Sequence, residues 1–402
     1  MSRTALATAV LTFATAAPAL ADDDMPAPWH AWERATGDWA GVRPRLVDRG
    51  ITVNAALTVD TFANVRGGAD TEGVGVEHLF DLALTLDTER LLGHPGGTVY
   101  VLFQNHAGDR VSDRVGDLYG IGGLDADGRT QVSEAWFDQQ LFDDRLRVRV
   151  GKIDAQMEFA AYNTLPIPAY PDPAFGFDAF VTPTDHTYVG FGFFDGSLAA
   201  GTRTGALGPA PLFDGDGGYF LIAEAGWRWE DPWAGRLGRA LGGAWHHTGS
   251  LPRVTGVGTR TGDTGAYAAA EQTLWAPSAD DDEENDEDED DASARGVSAY
   301  VQYSYAGGGV SEIPHQVGGG ITWTGPLPTR EADVLGAAVT CSWTAPDAGL
   351  AHSYELVTDV YYLLQVTPFL SIQPAVAYVR HPGTAPGRDD ALLILLRARI
   401  DF

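Results

Sequence analysis

Between Val132 and Gln140, alternate positions carry Glu134, Trp136, Asp138 and Gln140, and the next run carries Arg145, Arg147 and Arg149 in the same rhythm. Side chains on a strand point to opposite faces with a period of two, so each set shares a face. Acid on one strand beside base on its neighbour sets up a transverse field and fixed hydrogen bonds. With Trp136 among them, these residues offer donors, acceptors and an aromatic face to a neutral polar solute. The same types and spacing also suit a wall whose charges only satisfy one another.

Other chemistry is weak or missing. The chain has no Gly-x-Ser-x-Gly elbow and no His-Glu-x-x-His pair, so an enzyme is not expected. Asp185-His186 and His246-His247 are each adjacent pairs, and adjacent strand residues face opposite ways, so both read as wall or loop residues. Asp125-Ala126-Asp127-Gly128 and Asp214-Gly215-Asp216-Gly217 resemble fragments of calcium loops without the distant Glu of a full loop. Short Asp/Gly strings are also ordinary turn chemistry. Calcium is the one cofactor they leave open, and no other is implied.

The elements that must position these residues are strands. Ile51, Val53, Ala55, Leu57 and Val59 face one way; Thr52, Asn54, Thr58 and Asp60 face the other. Phe80, Leu82, Leu84 and Leu86 alternate with Asp81, Thr85 and Asp87, and Leu146, Val148 and Val150 alternate with the three arginines. The last eleven residues put Leu392, Ile394, Leu396, Ala398, Ile400 and Phe402 on one parity and Arg397, Arg399 and Asp401 on the other. Marking such runs predicts about sixteen strands, starting near 51, 79, 98, 131, 145, 187, 197, 219, 240, 266, 296, 317, 334, 352, 369 and 391.

Connections follow from that count. Asp143-Asp144, Asp195-Gly196 and Thr367-Pro368 read as short turns at one end, and residues 107–130 and 154–186 as long loops at the other. The second loop, with Pro166, Pro168, Pro171, Pro173, Phe175 and Phe177, suits either an inward fold that narrows a pore or an outer cap. Ahead of the strands, Trp29 to Gly50 reads as a short helix that Gly50 closes and Asp38 or Thr36 caps. Pro44 within it predicts a kink or a late start. Residues 280–291 are acidic at eleven of twelve positions, Asn285 excepted, and read as a disordered insertion at the short-turn end.

Charge and termini set the location. Arg3, the apolar stretch Ala5 to Ala17 and Ala19-Leu20-Ala21 have the form of an export signal cleaved after Ala21. Residues 22–50 then form the lead and 51–402 the strand domain. A formal charge of −29 argues against nucleic acid as a partner, and the single Cys341 excludes an internal disulfide. Oily on one face and ionic on the other, sixteen strands suit an all-β transmembrane antiparallel barrel with an aqueous interior. A soluble two-sheet protein would alternate too. The signal and the terminal Phe402, which resembles what outer-membrane barrels present to their assembly machinery, favour the barrel.

Four segments carry a family resemblance. GDWAGVRPRLVDRGITV (37–53), EAWFDQQLFDDRLRVRVGKIDAQMEFA (134–160), GPLPTREADVLG (325–336) and YELVTDVYYLLQVTPFLSIQPAVAYVRHPG (354–383) resemble the carbohydrate-selective porins of the OprB family. The last includes Glu355, Tyr361, Gln365, Pro368, Gln373, Pro374 and His381-Pro382-Gly383. Pro44 and the acidic insertion after Trp275 depart from the pattern. The resemblance implies passive, substrate-preferring diffusion of carbohydrates, monosaccharides such as glucose, across the outer membrane. It implies as partners the sugars, outer-membrane lipid and lipopolysaccharide, and the barrel-assembly machinery, with a homo-oligomer left open. The expected constriction is Glu134 with Trp136, facing Arg147 and Arg149, with Arg110 reaching in from the preceding loop. Alternatives are a general porin tuned by lumen charge and, from another class, an adhesin or enzyme on a barrel scaffold.

Overall fold

The alternation seen in the first strand is realised in three dimensions. In β1 (Ile51–Arg66), Ala56, Thr58, Asp60, Phe62 and Asn64 are buried on one face, while the other face carries the intervening apolar residues. The computed structural model describes residues 28–118, 120–159, 173–197, 208–214, 217–230, 236–277 and 295–402. Among them, sixteen strands pair antiparallel with their sequence neighbours, and the last pairs with the first to close a barrel.

The strands after β1 are β2 (Gly75–Asp87), β3 (Gly97–Gly108), β4 (Arg129–Leu141), β5 (Leu146–Ile153) and β6 (Ala174–Thr184). Next come β7 (Thr187–Asp195), β8 (Tyr219–Glu230), β9 (Leu237–Pro252), β10 (Thr259–Trp275) and β11 (Gly296–Tyr305). The barrel finishes with β12 (His315–Thr324), β13 (Val334–Trp343), β14 (Tyr354–Thr367), β15 (Leu370–Arg380) and β16 (Ala391–Asp401). Closure leaves no unpaired sheet edge, as a wall in hydrocarbon requires. Outward residues are apolar and exposed: Val360 is 47 % and Ile394 50 % accessible in the bare chain.

Two expected segments are corrected. The run starting near 197 takes no place in the barrel, where β7 pairs directly with β8: β7 ends at Asp195, Ser197 lies in a turn, and residues 198–207 fall outside those described. The missing strand is β6, inside the stretch read as a loop over 154–186. Its outward residues Phe175, Phe177, Ala179 and Val181 alternate with Gly176, Asp178 and Phe180. A glycine and a large aromatic on the inward parity blur the contrast that marks a strand. The total of sixteen survives because one segment replaces the other. Consequently Asp195-Gly196 opens a long connection at the far end, and the short turn at the chain-terminal end is Asp185-His186.

The lead helix starts late. A 3-10 turn at Trp29–Ala31 precedes α1 (Val42–Asp48), whose first turn contains Pro44, where a missing N–H costs no helical bond. Neither Asp38 nor Thr36 caps it; Gly41 stands at the N-cap with φ 78°, and Thr36 Oγ1 instead accepts from Arg43 at 3.0 Å. Arg43 also donates to a main-chain oxygen of Phe402 at 3.3 Å, and the Ala35 N–H donates to Asp401 O at 2.8 Å. The lead therefore clasps the end of the last strand. A second short helix, α2 (Thr88–Leu92), is capped by the Asp87 carboxylate and turns the chain between β2 and β3.

The seam between β1 and β16 carries a buried ion pair. Asp60, fully buried, receives two hydrogen bonds of 2.7 Å from Arg397, which also donates to Gly122 O. At the chain-terminal end, Asp333 gathers Arg330 (2.8 and 2.9 Å), the Tyr362 hydroxyl (2.6 Å) and the Gln365 N–H (2.9 Å). The Arg-x-x-Asp segment thus staples the β12–β13 turn to β14. Asp333→Ala leaves three donors without their acceptor and is expected to cost about 2–4 kcal/mol. Heat-dependent electrophoretic migration of the folded barrel would register the loss; an unchanged transition would refute the staple.

The acidic run 280–291 lies outside the described residues. Its flanks, Trp275 at the end of β10 and Gly296 at the start of β11, stand at the barrel end that carries Ile51 and Asp401.

Candidate functional site

Register brings the opening pattern together. β4 and β5 pair with Asp138 opposite Arg149, Gln140 opposite Arg147 and Trp136 opposite Gly151. Gly151 has φ 143°, and a Cβ there would stand 2.3 Å from the Ala135 carbonyl oxygen, so only glycine fits. Beyond it Lys152, Ile153 and Asp154 are all buried, as the chain leaves the wall and turns into the bore.

That inward turn is the site's organising element. α4 (Ala155–Glu158) begins on the Asp154 carboxylate, which accepts from the Gln156 N–H at 3.0 Å. Glu158 then reaches back to the wall and receives hydrogen bonds from both Arg147 and Arg149. Phe159 is fully buried, 4.9 Å from the Phe180 ring and 6.4 Å from that of Phe194. An inward-facing apolar cluster that includes Phe220, Ile222, Trp245 and Tyr267 continues from there. Burial works against charge on Glu158, but Arg149 and Arg147 hold its carboxyl below the ordinary range. Burial, then the Glu134 charge, push the Asp154 carboxyl up to about 8.

Around Trp136 the contacts are dense. Its ring stacks on Tyr100 at 4.7 Å, the Arg149 guanidinium carbon lies 3.8 Å from its centroid, and its indole N–H donates to Glu134 at 3.1 Å. Glu134 also accepts from the Asp154 N–H at 3.3 Å. Arg149 donates to Asp138 at 3.3 Å, and Arg147 to Asp178 of β6 at 3.1 Å, with its guanidinium 4.6 Å from the Phe180 centroid. A cavity of about 640 Å³ opens beside them, lined by Trp136, Asp138, Arg147, Arg149, Phe180 and Arg228 among others.

Four of the five expected residues, Glu134, Trp136, Arg147 and Arg149, share this wall. The facing differs from the expectation: the carboxylates against the arginines are Asp138, Glu158 and Asp178, and Glu134 holds the indole instead. Sequence reasoning passed over Glu158 and Asp178 because one sits in an irregular segment and the other in the unread β6. Arg110 joins a different group, donating to Asp125 at 3.1 Å and Asp127 at 3.3 Å. Its guanidinium occupies the first of the two calcium-like Asp/Gly strings. His246 and His247 do point apart: His247 is buried with Nε2 2.8 Å from Gly196 O, and His246 meets Thr264 at 2.9 Å.

Arg110 opens a second inward segment. α3 (Val111–Val115) and Ile121 pack on Phe62, Leu393 and Leu395 of the seam wall. Several polar contacts fasten it. Asn64 donates to Arg114 O at 3.2 Å, Arg388 to Gly116 O at 2.7 Å and Arg397 to Gly122 O. The Leu118 N–H donates to Glu355, both oxygens at 3.0 Å, and Gly383 N–H reaches the same carboxylate at 2.7 Å. Two inward segments thus grip opposite parts of the wall, and Glu355 and Gly383 of the fourth resembling motif serve one of them.

Comparison with known proteins agrees with this architecture. The model of the family "Carbohydrate-selective porin, OprB family" matches residues 71–402. Porin B of Pseudomonas aeruginosa is 27 % identical over 134 residues, 31 % of this chain and 30 % of that protein, so the match spans under a third of that relative. The high-pH structure of Pseudomonas putida OprB superposes with a TM-score of 0.79 at 19 % identity, over 92 % of this chain and 99 % of that one. The low-pH structure of the same protein gives 0.63 at 17 % identity, over 92 % and 98 %. At such identities the superpositions speak for the fold.

Proposed function

Because the chain belongs to the OprB family of carbohydrate-selective porins, we propose that it passes monosaccharides such as glucose through the bore, past the wall of Glu134, Trp136, Arg147 and Arg149. The protein is a porin, not an enzyme, and the family and barrel place it in the outer membrane. The observation that carries the sugar reading is the indole of Trp136, fixed between Tyr100, Arg149 and Glu134 at the edge of the cavity. Sugar rings present an apolar C–H face and a rim of hydroxyls. A held aromatic face with charged hydrogen-bonding groups around it meets both requirements. Binding must stay weak for the solute to leave, and prior ion pairing of the arginines keeps it so.

Residues 1–21 serve in this reading as an export signal cleaved after Ala21, and Phe402 as the mark read by the assembly machinery. Calcium at the Asp/Gly strings and association into a homo-oligomer stay proposals of the sequence. Liposome swelling with a panel of sugars and amino acids tests the main claim: faster entry of monosaccharides than of amino acids of similar size supports it. Equal rates would favour the general porin. Glu134→Gln releases the indole from a charged acceptor and is expected to weaken sugar binding about two- to tenfold and to shift ion selectivity. Unchanged sugar flux in that variant removes Glu134 from the site.

A further inference from the structure

Inward-facing carboxylates in this barrel are mostly satisfied by partners. Asp138, Glu158 and Asp178 meet arginines, Asp60 meets Arg397, and Glu224 accepts from Tyr188 at 2.6 Å and Tyr267 at 2.8 Å. Asp359 differs. It faces the bore from β14 on the parity of Glu355 and Val357 and is partly accessible, with no hydrogen bond or ion pair assigned to it among the described residues.

Its surroundings form a defined shape. Register sets Tyr300, Gly320, Ala338 and Asp359 in one row across β11 to β14. The Tyr300 ring lies over Gly320, where an added Cβ would stand 2.6 Å from its Cε1. Tyr361, two residues on from Asp359, lies likewise over Gly336, with its Cζ 2.3 Å from an added Cβ. Ala338 is then a floor edged by two phenol rings and one carboxylate. Strands stand about 4.8 Å apart, so the ring over Gly320 and Asp359 face each other across roughly 10 Å. That gap suits one sugar ring, its C–H face on a phenol and its hydroxyls donating to the carboxylate.

We propose that Tyr300, Asp359 and Tyr361 form a second binding station for neutral polyols, on β11–β14 and apart from the ion-paired wall of β4–β6. The inference rests on the sugar-passing reading above. It differs in chemistry from the first wall, since no basic side chain stands in the row and Asp359 keeps its acceptor capacity for a ligand. Rings that only fill space over glycines would matter for folding alone.

The experiment is ion-current blockade by glucose in planar bilayers, using the full chain and the variants Y361L, Y300L, D359N and Y361F. Half-blocking concentrations are expected to rise about three- to tenfold in Y361L, Y300L and D359N, with Y361F, which keeps the ring, restoring most of the affinity. Wild-type values in folded Y361L, Y300L and D359N overturn the station. If Y361L does not fold, the nearly isosteric D359N and the Y300L variant decide. Blockade of the wild type that weakens in Glu134→Gln but not in these variants sinks the station alone. A wild type that no sugar blocks sinks both readings.

Discussion

Arg397→Met is expected to lower the temperature at which the folded barrel loses its fast electrophoretic migration by roughly 6 to 12 °C. The Asp60 carboxylate is fully buried and takes both of its 2.7 Å bonds from this one guanidinium. Methionine keeps the length and packing of the side chain but removes the positive charge. An unpaired buried carboxylate costs about 3–5 kcal/mol, far more than the net worth of an intact pair. The same change frees Gly122 O, so the inward segment after α3 loses one of its fastenings. Asp60→Asn in the Arg397→Met background should recover part of the loss, because the neutral amide no longer demands a cation. A double-mutant cycle isolates that coupling. An unshifted transition in Arg397→Met would show that the seam is held by its backbone ladder and apolar contacts alone.

Replacing Glu158 should act on the channel. Its carboxylate bridges Arg147 and Arg149, and all three side chains are at most 11 % exposed. Glu158→Ala leaves two guanidinium groups competing for Asp138 and Asp178 and removes the only charged tether of α4 to the wall. A loss of about 3 kcal/mol raises the undocked population of the segment roughly a hundredfold. The expected result is a larger, noisier single-channel conductance, together with poorer discrimination between sugars. Trp136 should respond as well, because Arg149 is held over its ring partly through Glu158. Wild-type conductance and wild-type sugar blockade in Glu158→Ala would mean that Phe159 alone seats the segment.

How much of this could be read beforehand follows from where alternation holds. The first half of β1, β2 beyond Leu79, β5 and the lower half of β16 contrast oily and charged parities, and there the sequence is enough to orient the side chains. The contrast fails where a loop folds into the bore, because the inner wall becomes apolar to receive it. Phe62, Val357, Val379, Leu393 and Leu395 face inward for that reason. Phe180 does the same on β6, beneath Phe159, which is why that strand went unread and its Asp178 with it. Glu134, Trp136, Arg147 and Arg149 were legible because they lie on two regular strands joined by a short turn. Glu158 and the role of Glu355 were not, since each meets partners fixed by loop paths that no local period encodes. The family motifs divide in the same way. Arg330 and Asp333 hold a turn, Glu355 holds an inward segment, and neither task is visible in a single strand.

The clasp of the lead on the last strand has a bearing on the order of assembly. Arg43 and Ala35 bond to main-chain oxygens of Phe402 and Asp401, and the seam beside them joins side chains 337 positions apart. Docking of the lead is thus a late event that presupposes a finished cylinder. Protection of its arginines from a trypsin-like protease would serve as a clock for ring completion, separate from the hydrogen bonding of any one hairpin.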